Sequence, residues 1–584
     1  MEKVQERDAG ASASVDAPPV SSALPVIRPL LLVGAGLLVA VVRWWTSHRR
    51  ALFHITPDEP GQLAIARFVG GMARWNMFDR STWRPGYGTL IAPLHWFTDD
   101  PVMAFQLALV VNAVLGGLAC VLLCLLARRL TSLSGPGCVL AGLVVALTPA
   151  LLFSTNWTWS ESLVVVTCLA TLLAALRCYD RPTLGRGIAV VLLAAAGFAA
   201  HSRLLPLAAL AAVLVGVVVL QRRLRVATGV LVVAAGAVAL WGVARYSSWL
   251  VDRIWETPTT TNTADGVVDR LTSPGPIAVS LAGQVWYQLV ATAGLAGVGA
   301  IVLGAAALGR RRTTIPAHPS VATARIVMVG CGALIALAVV FMSDRLRPDQ
   351  IVYGRYNDAV VGPLVVVGLG ALVTASRRLV ICSVGAVLAV LAITAVVLEA
   401  ARGDALAEPG IVRAMVLGLA AFTGLGAIDV SAISIGAALV IGAVAAAALV
   451  GRRAWRWWPV VAVLVPVLAV GYVRTGDVVD VTRNSWAINE ASIERLRGVL
   501  PSGKAVRFRV VPDSQDPTAR WGDQRLRTMV YQYYLPTNAM TEDGADVTPG
   551  YVFAPIGDPD LTAAGAEVRW RDPRFPIGLW LVPS

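Results

Sequence analysis

The side chains able to do chemistry in this sequence are few, and most stand beside long apolar runs. Asp58 and Glu59 lie in Thr56-Pro57-Asp58-Glu59-Pro60-Gly61, just after the first run. A carboxylate pair held between backbone-fixing prolines suits a general base. The same acids would suit a helix N-terminus, where the dipole favours negative charge. Arg355 and Tyr356 lie in Tyr353-Gly354-Arg355-Tyr356-Asn357-Asp358. A guanidinium fork matches phosphate oxygens, but Arg355 could instead pair with Asp358, and Tyr356 could be an interface-belt residue. His201 and Arg203 separate two short apolar runs; Arg203 there either binds an anionic headgroup or snorkels. In Asn156-Trp157-Thr158-Trp159-Ser160-Glu161 the tryptophans read first as belt residues, and Glu161 as a carboxylate facing a water-filled cavity. Arg84 and Tyr87 in Arg84-Pro85-Gly86-Tyr87 are weaker candidates. So are Trp255, Glu256, Gln284, Trp286 and Tyr287, whose rings could stack on sugars.

Other chemistry is missing from the sequence. There is no phosphate-cradling glycine loop, no dinucleotide fingerprint, no His-Glu-x-x-His and no Gly-x-Ser-x-Gly elbow. The five histidines (48, 54, 95, 201, 318) lack zinc spacing. No cofactor is required by any motif. A divalent cation near the first-loop acids is left open, because His48 and His54 are close to Asp58 in sequence but form no evident cage.

Composition says what must position these groups. The chain has 584 residues, of which 56% are hydrophobic and 15% charged, and its mean hydropathy is +0.68. A soluble domain carries about 25% charge. The net charge of +13 is a topology signal, not a nucleic-acid footprint. From Arg474 onward 13 basic residues face 14 acidic ones, so the excess lies among the apolar runs. It gathers in Arg128–Arg129, Arg177/Arg181/Arg186, Arg222/Arg223/Arg225, Arg310–Arg312 with Arg325, Arg377–Arg378 and Arg452/Arg453/Arg456. Short arginine-rich loops mark the cytoplasmic side. Arg49-Arg50 alone fall on the wrong side. The seven cysteines lie in or beside apolar runs and read as small buried hydrophobes.

The expected architecture is an α-helical polytopic membrane protein with about 13 transmembrane helices and a small C-terminal extracytoplasmic α/β domain. Residues 1–25 read as a disordered cytoplasmic tail, 26–473 as the membrane domain and 474–584 as the outer domain. The first run acts as an uncleaved signal anchor in this reading. Spans fall near 26–45, 102–127, 136–154, 160–179, 186–201, 203–220, 226–245, 285–309, 323–342, 357–375, 378–399, 430–451 and 457–473. The segment 411–428 is apolar too, but counting it as a span would turn Arg452, Arg453 and Arg456 outward, so it reads as non-spanning. The first extracytoplasmic loop, 46–101, holds an amphipathic helix over Pro60–Trp75 with Arg67 and Arg74 on its wet side. In the C-terminal part, helices are expected over Ser485–Leu500 and Asp523–Tyr534. Strands are expected at Ala505–Val511 and near Tyr551–Ala554, Glu567–Trp570 and Leu579–Val582.

The order of these features resembles the GT-C superfamily of polytopic membrane glycosyltransferases, which use polyprenyl-phosphate-linked sugars. The resemblance rests on Asp58-Glu59 after the first span, the amphipathic helix, Arg84-Pro85-Gly86-Tyr87, the Ser160-Glu161 step and Tyr353-Gly354-Arg355-Tyr356. Within the superfamily the chain is most similar to the protein mannosyltransferase and aminoarabinose transferase branch. Arg84-Pro85-Gly86-Tyr87 departs from the Lys-Pro-Pro-Leu-type segment of some members. The resemblance implies that Asp58 is the base, supported by Glu59, and that Arg355 binds the donor phosphate. Tyr356, Arg203 and His201 join that phosphate set, and Arg84, Tyr87, Trp159, Glu161, Gln284 and Tyr287 complete the expected substrate-binding set. The implied reaction is inverting transfer from a polyprenyl-phosphate sugar donor to a cell-envelope hydroxyl on a glycan, protein or lipid acceptor. It would take place at the outer face of the plasma membrane, with membrane lipid but no nucleic acid as partner. The rival readings are a lipid-linked glycan flippase or transporter, a non-catalytic envelope assembly protein, and a lipid-linked polymer ligase. A transporter predicts charges deep in the spans and an inverted repeat; here the charges cluster at span ends.

Overall fold

The computed structural model describes residues 26–53, 58–75, 77, 82–154, 157–255, 264–309, 319–408, 415–423, 427–450, 456–486, 488–509, 519–542 and 547–584. The tail 1–25, His54, Thr56, Pro57, Asn156, Glu256, Arg310–Arg312, His318, Arg452 and Arg453 lie outside the described residues.

The chain forms α1 (Pro29–Ser47), α2 (Asp58–Val69), α3 (Gly86–Ile91), α4 (Pro101–Leu130), α5 (Gly135–Ala146), α6 (Pro149–Ser154), α7 (Glu161–Asp180) and α8 (Leu184–Ala200). There follow α9 (Leu205–Leu220), α10 (Val226–Ile254), α11 (Ala264–Leu271), α12 (Pro274–Ala291), α13 (Leu295–Ala307), α14 (Val321–Met342), α15 (Pro348–Ile351) and α16 (Arg355–Asp358). The last helices of the bundle are α17 (Gly362–Thr374), α18 (Arg377–Ala407), α19 (Val430–Val450) and α20 (Trp457–Trp486). Among the described residues nine helices are long and apolar enough to cross a membrane, two further bent pairs pass the same test together, and two apolar helices are shorter. These correspond one to one with the thirteen runs read from sequence.

Polar residues punctuate the apolar runs. Asp100, Ser134, Thr183, Ser320 and Ser376 each cap a helix by accepting a backbone N–H in its first turn. The run 285–309 is not one straight span. It divides at Thr292–Gly294, where Ala293 (φ 49°) and Gly294 (φ 76°) take left-handed conformations and turn α12 by 110° into α13. The run 357–375 likewise breaks, with α15–α16 at 75° to α17. Backbones touch where α13 crosses α17: a Cβ at Gly299 would stand 1.9 Å from the Leu364 carbonyl oxygen. The described part of 411–428 holds only a 3₁₀ turn, Leu417–Leu419, and no spanning helix. Six cysteines are buried as expected, whereas Cys382 is exposed on the bundle surface.

The C-terminal part adds α21 (Glu490–Val499), α22 (Ala519–Tyr534), α23 (Pro559–Ala563) and strands β1 (Val506–Phe508), β2 (Met540–Glu542), β3 (Gly550–Pro555), β4 (Glu567–Arg571) and β5 (Ile577–Val582). The sheet order is β2-β1-β3-β5-β4. β1 runs parallel to β2 and β3, and β5 runs antiparallel to β3 and β4. The helix expected over Ser485–Leu500 divides: α20 continues to Trp486, and α21 starts after Asn489, whose side chain caps Ser492 N–H. β2 and α23 were not expected.

This sheet layer shares one core with the first loop. Phe53 packs edge-on against Tyr533 and Trp75 at 5.4 and 5.8 Å, and the Tyr533 hydroxyl donates to the carbonyls of Ala51 and Pro101. Arg67 corrects the wet-side expectation. It is 2% exposed, because the helix face it occupies meets α22 and not water. Its guanidinium donates to the carbonyls of Gln532, Leu535 and Asn538 at 2.5, 3.0 and 3.2 Å. Those carbonyls end α22 or follow it, where the helix dipole is negative.

Candidate active site

Four chain segments converge at one end of the bundle. Asp58 and Glu59 occupy the first turn of α2, so the helix-terminus reading and the functional reading apply to the same place. Glu161 opens α7, Arg355 opens α16, and Arg203 lies in a 3₁₀ turn, Ser202–Leu204, capped by the His201 ring. Gly354 lets α16 sit close: a Cβ there would stand 1.9 Å from the Tyr287 ring.

Arg355 is the centre of the cluster. Nε and Nη2 donate to the two oxygens of Glu161 at 2.5 and 3.0 Å, and Nη1 donates to Asp58 Oδ2 at 3.0 Å. Its guanidinium lies 3.8 Å from the centre of the Trp159 ring. Arg355 therefore does not pair with Asp358, which accepts instead from Tyr287 and Gln288. Glu161 is fully buried, so it faces two arginines and not water. Trp157 and Trp159 are 2% and 1% exposed; they wall the site and are not belt residues.

The carboxylate pair splits into two roles. Glu59 is fully buried. It takes Arg50 Nη2 at 3.0 Å on one oxygen and the Thr158 N–H and hydroxyl at 2.5 and 2.9 Å on the other. Asp58 is 25% exposed and accepts from Trp83 Nε1 at 3.1 Å as well as from Arg355. Asp58 is thus the accessible carboxylate of the pair. Arg50, which broke the charge rule in the sequence, is a buried partner of Glu59 that stacks over Phe105 and Trp157. It is not a loop charge.

Arg203 is 4% exposed, yet its Nε and Nη2 have no hydrogen-bond partner among the described residues. Its remaining contacts are one long bond to Glu161 Oε1 at 3.4 Å and the Tyr356 ring at 4.6 Å. His201 packs edge-on against the same ring. Burial, then the charges of Arg203, Arg355 and Arg84, hold the His201 imidazole well below its ordinary range, so it is neutral beside Arg203. Buried donors without partners are costly, and these can serve an anion. Three other expected residues sit behind the cluster: Tyr87, Gln284 and Tyr287 are fully buried. Tyr87 donates to Asn112, which donates to the Trp157 carbonyl. Tyr287 accepts from Gly418 N–H, and Gln284 packs on Asn357. Arg84 stacks on Phe198 at 4.1 Å, and its carbonyl accepts from Gln62. Sequence reading missed Arg50, Trp83, Thr158 and Met415, whose sulfur accepts from the Tyr353 hydroxyl and from Arg355 Nη1 at 3.3 and 3.7 Å. Thr158 lies inside the Asn156–Glu161 segment, Arg50 stands out as a misplaced charge and Trp83 directly precedes the Arg84 segment, but none of these marks assigns a role.

Asp58, Glu59 and Glu161 already accept from guanidinium, indole, hydroxyl and backbone N–H donors. Among the described residues no three His, Cys, Asp or Glu side chains gather around a common point.

No family model and no curated protein matches this sequence. Solved structures do match in shape. The chain is similar to ArnT from Cupriavidus metallidurans bound to undecaprenyl phosphate, with a TM-score of 0.53 over 94% of this chain and 98% of that one, at 15% identity. Apo ArnT gives 0.52 over 94% and 97%, at 16% identity. The chain has the GT-C fold. Arabinosyltransferase EmbB from Mycobacterium smegmatis is a weaker match, with a TM-score of 0.41 over 79% of this chain and 43% of that one, at 16% identity. On this fold, the Asp58–Arg355–Glu161 cluster joins the first turn of α2 to the N-terminal ends of α7 and α16. The thirteen apolar segments make it a multi-pass membrane protein.

Proposed function

We propose that this protein is an inverting glycosyltransferase that moves a sugar from a polyprenyl-phosphate donor to a cell-envelope hydroxyl. The observation that carries the reading is the bridge of Asp58 to Glu161 through Arg355, with Arg203 beside it holding unused donors. One carboxylate within reach of the acceptor and one cationic anion site are what this chemistry needs. The acceptor oxygen attacks the anomeric carbon, and its proton passes to Asp58. The bond from that carbon to the phosphate oxygen breaks, and the electron pair leaves with the lipid phosphate. Arg203 receives the growing phosphate charge, with Tyr356 and neutral His201 packed around it. Arg355 holds Asp58 and Glu161 in register and faces the same phosphate. Glu59 fixes the first turn of α2 from beneath.

In this reading the site faces the extracytoplasmic side, the N-terminus lies in the cytoplasm and the sheet layer lies outside. Support comes from α7. Glu161 begins this 20-residue helix, and Asp180, paired with Arg129, ends it. A helix of that length spans about 30 Å, so the arginine-rich ends lie a membrane thickness from the site. The test is a panel of polyprenyl-phosphate sugars given to the purified protein in bilayers, with envelope extract as acceptor source. The expected result is release of polyprenyl phosphate from one donor class. If no donor on the panel is consumed or bound, the reading is wrong.

A further inference from the structure

A second cluster of unused donors lies away from this site, where the first loop meets the sheet layer. A cavity of about 20 Å³ is enclosed there by Arg67, Trp75, Leu94, His95, Phe105 and Tyr533, among others. That is room for one small ion or one water. Two of the lining residues each carry a buried donor, Arg67 Nε and Trp75 Nε1, that has no partner among the described residues, and the Arg67 guanidinium lies 5.9 Å from the Trp75 ring. The His95 ring makes no hydrogen bond among the described residues, while the Tyr533 hydroxyl is turned away to Ala51 and Pro101. No carboxylate pairs with Arg67 among the described residues. Three backbone carbonyls hold its other nitrogens, but they are dipoles and leave its charge uncompensated. Burial pushes Arg67 down to about 9, which is how an uncompensated cation behaves. Burial and the Arg67 charge, opposed by Asp99, push His95 down to about 4, so at neutral pH the ring is neutral and has an N–H to give.

We propose that this cavity is a binding site for a small monovalent anion of the halide class, coordinated by Arg67 Nε–H, Trp75 Nε1–H and the His95 ring. A water could accept from the same donors but would leave the Arg67 charge unmet; an anion answers both. The ion would fasten α2 to the end of α22. It stands apart from the proposed reaction, since none of its ligands touches the Asp58 cluster.

The test uses the full chain in detergent, with chloride exchanged for gluconate at constant ionic strength. Chloride should raise Tm saturably, by roughly 2–4 °C. Trp75→Phe keeps the ring and removes one donor, and should weaken the apparent chloride affinity about tenfold. Crystals of the unaltered protein grown in bromide should show an anomalous peak between Arg67 Nε and Trp75 Nε1, a result that needs no variant to fold. A Tm indifferent to chloride, together with no bromide peak, means that the cavity holds water only and overturns the proposal.

Discussion

Replacing each first-turn acid of α2 by its amide separates the two roles the structure assigns them. Asp58→Asn keeps an oxygen for Trp83 Nε1 and loses a partly exposed ion pair with Arg355, whose two bonds to Glu161 remain. That loss is worth about 1 kcal/mol, and a chain of this size should melt no more than roughly 2 °C earlier. The loss in turnover should be far larger, because removing a general base costs about 100- to 10,000-fold, or roughly 3–5 kcal/mol of barrier. Glu59→Gln should do the reverse. The pair with Arg50 is buried on both sides, so the amide strands a buried cation at a cost of about 3–5 kcal/mol. The assay runs both variants beside the unaltered protein, with thermal unfolding in detergent and polyprenyl phosphate release in bilayers. The reasoning fails if Asp58→Asn turns over within about threefold of the unaltered protein. It also fails if Asp58→Asn melts as early as Glu59→Gln, since its inactivity would then be structural.

Three further outcomes are expected. Arg203→Met removes the unused donors and should raise the KM for donor by about 10- to 100-fold, while Tm is unchanged or higher because two buried unpaired N–H groups are gone; steady-state kinetics over a donor titration reads this. Gly354→Ala places a methyl inside the Tyr287 ring, so the Arg355 turn must move, and both yield of folded protein and activity should collapse; Gly385→Ala, on an open helix face, is the control. In chloride-free buffer, stability should fall as pH drops from about 6.5 to about 4. His95 is held neutral down to about 4 in the folded chain, whereas the unfolded chain takes up its proton near 6.5. The fall in unfolding midpoint across that range should be shallower in His95→Phe, with the remainder left to His201, which is also held low in the folded chain.

The thirteen apolar segments, nine to eleven of them long enough to cross a membrane among the described residues, were legible because long charge-free runs have few other uses, and the capping residues bounded them. Asp58, Glu161, Arg203 and Arg355 were legible as types at span ends. Their mutual bonding was not, since 194 residues separate Arg355 from Glu161 and 297 separate it from Asp58. The split between Asp58 and Glu59 depends on Arg50 and Thr158, and nothing in a two-residue motif shows which acid a distant arginine will take. Arg67 was misread for the same physical reason. A helical moment locates a polar face but does not say whether water or another layer covers it. Trp157 and Trp159 followed the belt rule in composition and broke it in place, because Glu59 pulls the Thr158 backbone inward.

The clamp between α2 and α22 has a consequence for assembly. Arg67 bonds carbonyls 465 to 471 positions further along the chain, so the helix bearing Asp58 is synthesised among the first segments and braced by one of the last. Until then the part of the shared core around Arg67, Phe53 and Trp75 lacks the cover that Tyr533 and α22 supply. During biogenesis the nascent protein must carry an open apolar wound beside an unfinished cluster of charges, and contacts of such long range close slowly. A chain stopped short of α22 would keep all of its candidate spans, yet leave the end of α2 at Arg67 without the carbonyls that brace it.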